Sequence, residues 1–244
     1  VRSGLSSSGI DLGSRYVSPI KKHKAMMLVG TGVNAYEAGE VWHLLDQRVG
    51  MPISKIPIRN FDRISLDKYS TMVIVSGNYK FNDIQIQKIK DWASRGNTII
   101  SIGLGSKFLI DNKIVKEEIL KSENDPISDL YLPYIDAINN KGKEQIGGII
   151  LRTNVDLTHP LAFGLEDANL PVYKNNTIWI KPSKNNYSSV VRYTEDPLID
   201  GFITDKNYEK IKSTVSLLVS KIGKGRAIMF SDNPNFRGAW YGTN

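Results

Sequence analysis

The stretch Ala25-Met26-Met27-Leu28-Val29-Gly30-Thr31-Gly32, followed by an amphipathic segment to Gln47, decides the fold. Five apolar residues in a row suit a strand buried on both faces. Gly30 and Gly32 turn the chain. Asn34 and Glu37 then stand at N-cap and N3 spacing, a capping box that opens a helix. Ala38, Val41, Trp42, Leu45 and Val49 recur at helical spacing and predict one apolar stripe. Strand, glycine turn and helix together form the opening unit of a parallel α/β sheet. A glycine turn feeding a helix N-terminus can also hold an anion. However, Gly-Thr-Gly is not G-x-G-x-x-G and no P-loop lysine follows, so the tight turn is sufficient explanation.

Working outward, Ile53 to Ile58 reads as a second strand, and Thr71 to Ser76 as a buried β-branched run ending at the turn Gly77-Asn78-Tyr79. Asn82 and Gln85 form another N-cap and N3 pair. The helix they open runs from about Asp83 to Arg95, with Ile86, Ile89 and Ala93 on one face and Gly96 at its end. Thr98 to Ile102 is the next buried strand, closed by Gly103-Leu104-Gly105-Ser106 and a helical turn. This repetition predicts a doubly wound, mostly parallel, flavodoxin-like sheet. Lys113 to Lys121 reads as helical, Asn139 to Gly142 as a turn, and Ile149 to Arg152 as a strand. Thr158 to Gly164 reads as a structured loop, with strand signals at Thr177 to Ile180 and Tyr187 to Tyr193. Thr214 to Ile222 and Arg226 to Phe230 flank Gly223-Lys224-Gly225, a late β-hairpin. Residues 1 to 24, rich in Ser and Gly at their start, read as a linker or arm, leaving residues 25 to 244 as one domain.

A chain of 244 residues with 41% hydrophobic and 23% charged residues builds an ordinary globular core. No apolar run reaches the roughly 20 residues needed to span a bilayer, so membrane insertion is not expected. The absence of cysteine removes disulfides, thiolate metal sites and thiol nucleophiles. The net charge of +7 is mildly basic. Lys21, Lys22, His23 and Lys24 cluster before the first strand, but without interleaved stacking aromatics they read as solvated linker rather than a nucleic-acid face. The chain opens on Val and closes on Thr243-Asn244, and is expected to be a piece of a longer protein.

Candidate chemistry is sparse. His43 and Asp46 have H-x-x-D spacing but no evident third ligand, so a polar helix-border role suffices. His159, fixed before Pro160, is a loop candidate for a ligand site. The Gly103-Leu104-Gly105 turn has the form in which α/β enzymes expose a nucleophile, but Leu104 has no reactive atom and Ser106 lies past the turn. Glu37 and Glu40 can project together beside the glycine turn, as an acid pair or as simple complements to the helix dipole. Asp232-Asn233-Pro234-Asn235-Phe236-Arg237 follows the last strand, where open α/β sheets place binding loops. There Asp232 and Arg237 are a possible pair, and Trp240 and Tyr241 can pack or stack. Gly32, Gly77 and Gly103 sit at the turns of this same presumed edge, and with Glu37, Glu40, His159, Asp232, Asn233 and Arg237 complete the candidate ligand-binding set.

Val29-Gly30-Thr31-Gly32-Val33, the run Tyr36 to Gln47 (YEAGEVWHLLDQ), Thr158-His159-Pro160-Leu161 and the run Asp232 to Gly238 (DNPNFRG) go together. They resemble the C-terminal domain of bacterial zinc carboxypeptidases of the carboxypeptidase A type, a domain similar in fold to class I glutamine amidotransferases. The resemblance covers nearly the whole chain, with the first 24 residues matching the connector after the peptidase domain. It implies a parent metallopeptidase whose zinc lies outside this chain, no cofactor in the chain itself, the peptidase domain as partner, possible homo-oligomerisation and an extracytoplasmic location. Active amidotransferases carry a cysteine in the elbow and a His-Pro-Glu after a late strand. Here the matching segments are Gly103-Leu104-Gly105 and Asp232-Asn233-Pro234, so glutamine hydrolysis by the usual triad is not expected. A non-catalytic accessory domain is therefore the leading expectation. A small-molecule hydrolase using Ser106, His159 or the Glu37/Glu40 pair, and a carbohydrate or peptidoglycan module using Trp240 and Tyr241, are the alternatives.

Overall fold

A computed structural model describes residues 5–17, 19, 22–120, 133–137 and 145–238. The predicted buried run is strand β1 (Ala25–Val29), second from one edge of the sheet and flanked in parallel by β2 (Ile53–Pro57) and β3 (Thr71–Ile74). Next to β3 come β4 (Thr98–Ile102) and, again parallel, β9 (Gly225–Phe230). The sheet then continues antiparallel through β8 (Val215–Ile222), β7 (Ser189–Asp200), β5 (Ile149–Val155) and β6 (Asn169–Lys174). The order across the nine strands of the described residues is β2-β1-β3-β4-β9-β8-β7-β5-β6. The expected mixed α/β fold with a parallel, doubly wound core is present, and the β8–β9 hairpin turns on Gly223 (φ 58°) as its sequence signalled.

Successive residues of a strand face opposite ways, and the core divides accordingly. Met26, Leu28, Met72, Ile74 and Ile99 pack under helices α2 (Asp83–Ser94) and α3 (Leu104–Asp111), centred on the fully buried Trp92. Ala25, Met27, Val73, Val75 and Ile102 pack on the other face under α1 (Ala35–Trp42). A fourth helix, α4 (Asp205–Lys212), contributes Ile211 to a smaller cluster with Leu151, Trp179 and Tyr193.

The two helix starts behave differently. Asn82 and Gln85 form the complete reciprocal box. Asn34 caps α1 through the amides of Tyr36 and Glu37, but Glu37 does not return the bond. The Asn34 amide donates instead to the Ser76 carbonyl (2.8 Å), and the Glu37 carboxylate accepts from the Ser76 amide (2.8 Å). The expected capping box is thus half local and half tertiary.

The apolar stripe also departs from expectation. After Trp42 the chain widens into a π-helix, His43–Arg48, in which the Val49 amide reaches the Leu44 carbonyl five residues back (3.0 Å). Adding a residue to the turn rotates Val49 off the stripe, and it lies exposed.

Residues 113 to 120 are not helical: α3 stops at Asp111, Lys113 is left-handed (φ 52°), and Ile119 bridges to Ile180. Thr177 to Ile180 forms no strand of its own; only Ile180 bridges, to Ile119 and Val215, while the Ile178 amide is taken by the Asn176 side chain (3.0 Å). The turn expected at Asn139 to Gly142, and Trp240 with Tyr241, lie outside the described residues.

Candidate functional site

The C-terminal ends of β1, β3, β4 and β9 gather most of the candidate residues. The β1–α1 turn folds onto the turn after β3, where the Asn78 amide donates to the Gly32 carbonyl (2.8 Å) and Val33 bridges Gly77. A Cβ on Gly32 would stand 2.9 Å from the Asn78 carbonyl oxygen, and one on Gly77 would stand 2.9 Å from that of Gly32. Both glycines are therefore required by the approach of two backbones. Glu37 is buried beside them, and desolvation raises its pKa above the ordinary 4.5 against the lowering effect of its bonds from Ser76. The neighbouring Tyr79 hydroxyl donates to the Val75 carbonyl (2.8 Å), and burial pushes its pKa up.

The elbow after β4 has its vertex one residue earlier than the flanking glycines suggest. Gly103, not Leu104, adopts φ 52° and ψ −117°, a conformation that is costly for a residue with a side chain. A Cβ there would lie 2.5 Å from Ser76 Oγ. The Ser76 hydroxyl accepts from the Leu104 amide (3.1 Å) and donates toward the Ile102 carbonyl (3.5 Å). In a nucleophile elbow the amide following the vertex is an oxyanion donor. Here a side chain of β3's own exit turn already occupies it. Leu104 is itself exposed, and Ser106 is fully buried, donating to the Phe230 carbonyl (2.8 Å) and sharing a bond with Ser101 (2.8 Å).

The loop after β9 closes this end. Glu40 accepts from the Asn233 side chain (2.7 Å) and from the Arg237 amide (2.8 Å), so three of the candidates meet and fasten α1 to the loop. Arg237 is left-handed (φ 50°), with its guanidinium over the Phe236 ring, which stacks on Tyr173 at 3.7 Å. Asp232 does not pair with Arg237. Its partner is Lys174, at 3.0 Å and with no exposed side-chain surface. Asp232 Oδ1 also accepts from Tyr193 (2.6 Å) and Ser231 (3.2 Å), and Oδ2 from Ser216 (2.5 Å). The Lys174 ammonium further donates to the Ile178 and Ser231 carbonyls and to Asn176. Burial lowers the Lys174 pKa while Asp232 opposes the shift, and burial beside Asp232 holds the Tyr193 hydroxyl far above its ordinary value.

His159 stands apart from these groups. It follows β5, four strand positions from β4, or on the order of 19 Å at the usual spacing. Its Nδ1 accepts from the Leu161 amide (3.1 Å) and caps a short 3-10 turn, Pro160–Ala162. Neither it nor Glu37 nor Glu40 reaches Ser106 through any of the bonds described above. Among the described residues, no three His, Asp or Glu side chains converge as a metal site.

Sequence reading did not find Ser76, Lys174, Asn176, Tyr193 or Ser216. Lys174 lies in β6, a strand that carried no pattern of its own, and Ser76 reads simply as the end of a strand. A buried ion pair between a strand residue and a loop residue 58 positions away leaves no local signal.

Beneath the loop lies a cavity of about 580 Å³. It runs between the π-helix (Leu44, Leu45) and the Leu161–Leu165 segment, over a floor that includes Ile102, Phe230, Leu217 and Val191. Those four floor residues are in register across β4, β9, β8 and β7.

No protein-family model matches the chain, and no curated protein does. Solved structures do. A ThuA-like protein from Parabacteroides merdae aligns over 88% of this chain and 84% of its own at 13% identity, with a TM-score of 0.55. A putative GMP synthase subunit from Thermoplasma acidophilum matches over 87% of this chain and 85% of its own at 10% identity, TM-score 0.51. A cytoplasmic protein from Salmonella typhimurium aligns over 86% and 88% at 12% identity, TM-score 0.50. At such identities the likeness is one of fold, and that fold is the class I glutamine amidotransferase-like one.

Proposed function

We propose that this chain is a non-catalytic domain on an amidotransferase-like scaffold, serving packing, oligomerisation or ligand binding within a larger protein. The observation that carries the reading is the pairing of Gly103 with Ser76. The elbow vertex has no side chain, and the adjacent amide is held by a hydroxyl from the neighbouring turn. Acyl transfer needs a nucleophile at the vertex and a free donor for the developing oxyanion. Neither condition is met by Gly103, and Asn233, after β9, is engaged with Glu40.

The larger protein we propose is a zinc carboxypeptidase of the carboxypeptidase A type, exported from the cytoplasm, with this domain packed on its peptidase domain. Support for that part is the YEAGEVWHLLDQ and DNPNFRG resemblance. Zinc in such a protein would belong to the peptidase domain, because the donor set of the described residues does not gather around a common point.

The test is direct. The purified chain should release no ammonia from glutamine and cleave no C-terminal residue from peptides, with or without added zinc. The upstream coding sequence should encode a peptidase domain with its H-x-x-E and distant His. Turnover of either substrate overturns the non-catalytic reading, and a different upstream domain overturns the parentage.

A further inference from the structure

We infer that the cavity beneath the π-helix is a binding site for a neutral small molecule with a long apolar body and one hydrogen-bond-donating end. The site rests on the reading of a non-catalytic scaffold and deepens it by placing the ligand on the sheet face that begins at the ends of β4 and β9. At about 580 Å³ the cavity falls within the range of small-molecule pockets, roughly 300–1,000 Å³. It is too small for a folded partner.

Two independent features point to a built site. The first is its wall. A continuous α-helix would keep Val49 on the buried stripe; in the π-helix His43–Arg48 Val49 leaves it, and the cavity wall is made by Leu44 together with Leu45. Such π segments are uncommon and concentrate at functional sites. The second is the distribution of polarity. The floor is aliphatic and aromatic; Ser216, Asp232 and Asn235 supply polar groups on the β8–β9 side, and Arg48, at the end of the π-helix and itself engaged in an interaction, is the one basic residue of the lining. Asp232 is neutralised by Lys174, so the β8–β9 side carries no net charge. Its Oδ1 takes three donors whereas Oδ2 takes Ser216 alone, which makes Oδ2 the less occupied acceptor. An alcohol or primary amide suits that side; a carboxylate would be set against Asp232.

The opposite wall, Leu161 to Leu165, comes from a short loop pinned by Asp156, which accepts from the Thr158 amide (3.0 Å) and hydroxyl (2.6 Å). Phe163 on that loop is 95% exposed, which places a large apolar ring beside the cavity wall.

The experiment uses the whole chain, the neutral fluorophore N-phenyl-1-naphthylamine, and 1-decanol and decanoate as competitors. Saturable fluorescence gain, displaced by decanol about tenfold more effectively than by decanoate, is expected. Methyl NMR spectra with decanol should move Ile100, Ile102 and Leu217 and leave the exposed Ile84 of α2 unchanged. Val191→Trp, which fills the floor, should weaken binding at least about tenfold while keeping the native circular dichroism; if it does not fold, Ala162→Phe takes its place. Absence of saturable binding, shifts scattered over the surface, equal displacement by decanoate, or unchanged binding in a folded filling variant each overturns the proposal. Glutamine turnover would overturn the non-catalytic reading and leave this binding result standing.

Discussion

Ser76 and Gly103 share one small volume, so the cost of a side chain at either depends on the other. Gly103→Ala meets Ser76 Oγ and also forces a Cβ onto a left-handed backbone. A loss of about 2–4 kcal/mol is expected from strain and overpacking together. In a Ser76→Ala background the contact is gone but the backbone strain persists. Equilibrium denaturation of the four proteins should therefore give a coupling of about 0.5–2 kcal/mol. Additive losses would mean that the hydroxyl does not occupy the vertex space. Glu37 makes a second prediction at this scale. Its folded pKa lies above the ordinary 4.5, so between about 4.5 and the raised value the folded protein holds the extra proton, and stability falls as pH rises through that window. Glu37→Gln keeps an acceptor for the Ser76 amide and cannot ionise. Its stability relative to the native protein should rise between pH 4 and pH 7, read from urea midpoints across that range. A constant or falling difference would show that the Ser76 bonds outweigh desolvation.

At the scale of elements, the notable joint is between β6 and the exit of β9. Lys174→Met leaves Asp232 charged, buried and without its cation, and a loss of about 3–5 kcal/mol is expected. The paired change Lys174→Met with Asp232→Asn removes both charges and should be much milder, because the hydroxyls of Tyr193 and Ser216 still have an acceptor. Chemical denaturation decides it: a double variant as weak as the single would place the effect in packing rather than charge. This joint also marks where sequence reading stops. β1, β3, β4 and α2 were legible because their apolar periodicity and capping residues are local. β6 and α4 were not: β6 is only partly buried along most of its length, and α4 exposes most of its surface. The π-helix was hidden for a different reason. Its residues satisfy a 3.6-residue stripe equally well, and only the tertiary arrangement shows that Val49 has left it.

Across the whole molecule, four strands added antiparallel to a five-stranded parallel sheet carry the buried Lys174 and Tyr193 to the end where the elbow sits. The strand-turn-helix repeats announced the parallel half, and the hairpin announced β8 and β9. The candidate site was half legible. Glycine turns and the post-β9 loop were in the right place, since both follow strands whose direction is fixed by the crossover rule. The groups that fill the site came from other strands and carried no motif. At the elbow end of the scaffold the polar groups are paired within the chain: Ser76 with the elbow amide, Glu40 with the loop, and Lys174 with Asp232. The most direct measurement is intact-protein mass spectrometry after incubation with 6-diazo-5-oxo-L-norleucine, which alkylates the nucleophile of glutamine-hydrolysing sites. The account predicts an unmodified mass and no ammonia release from glutamine; a stoichiometric adduct mapping to the segment from Ser101 to Ser106 would contradict it.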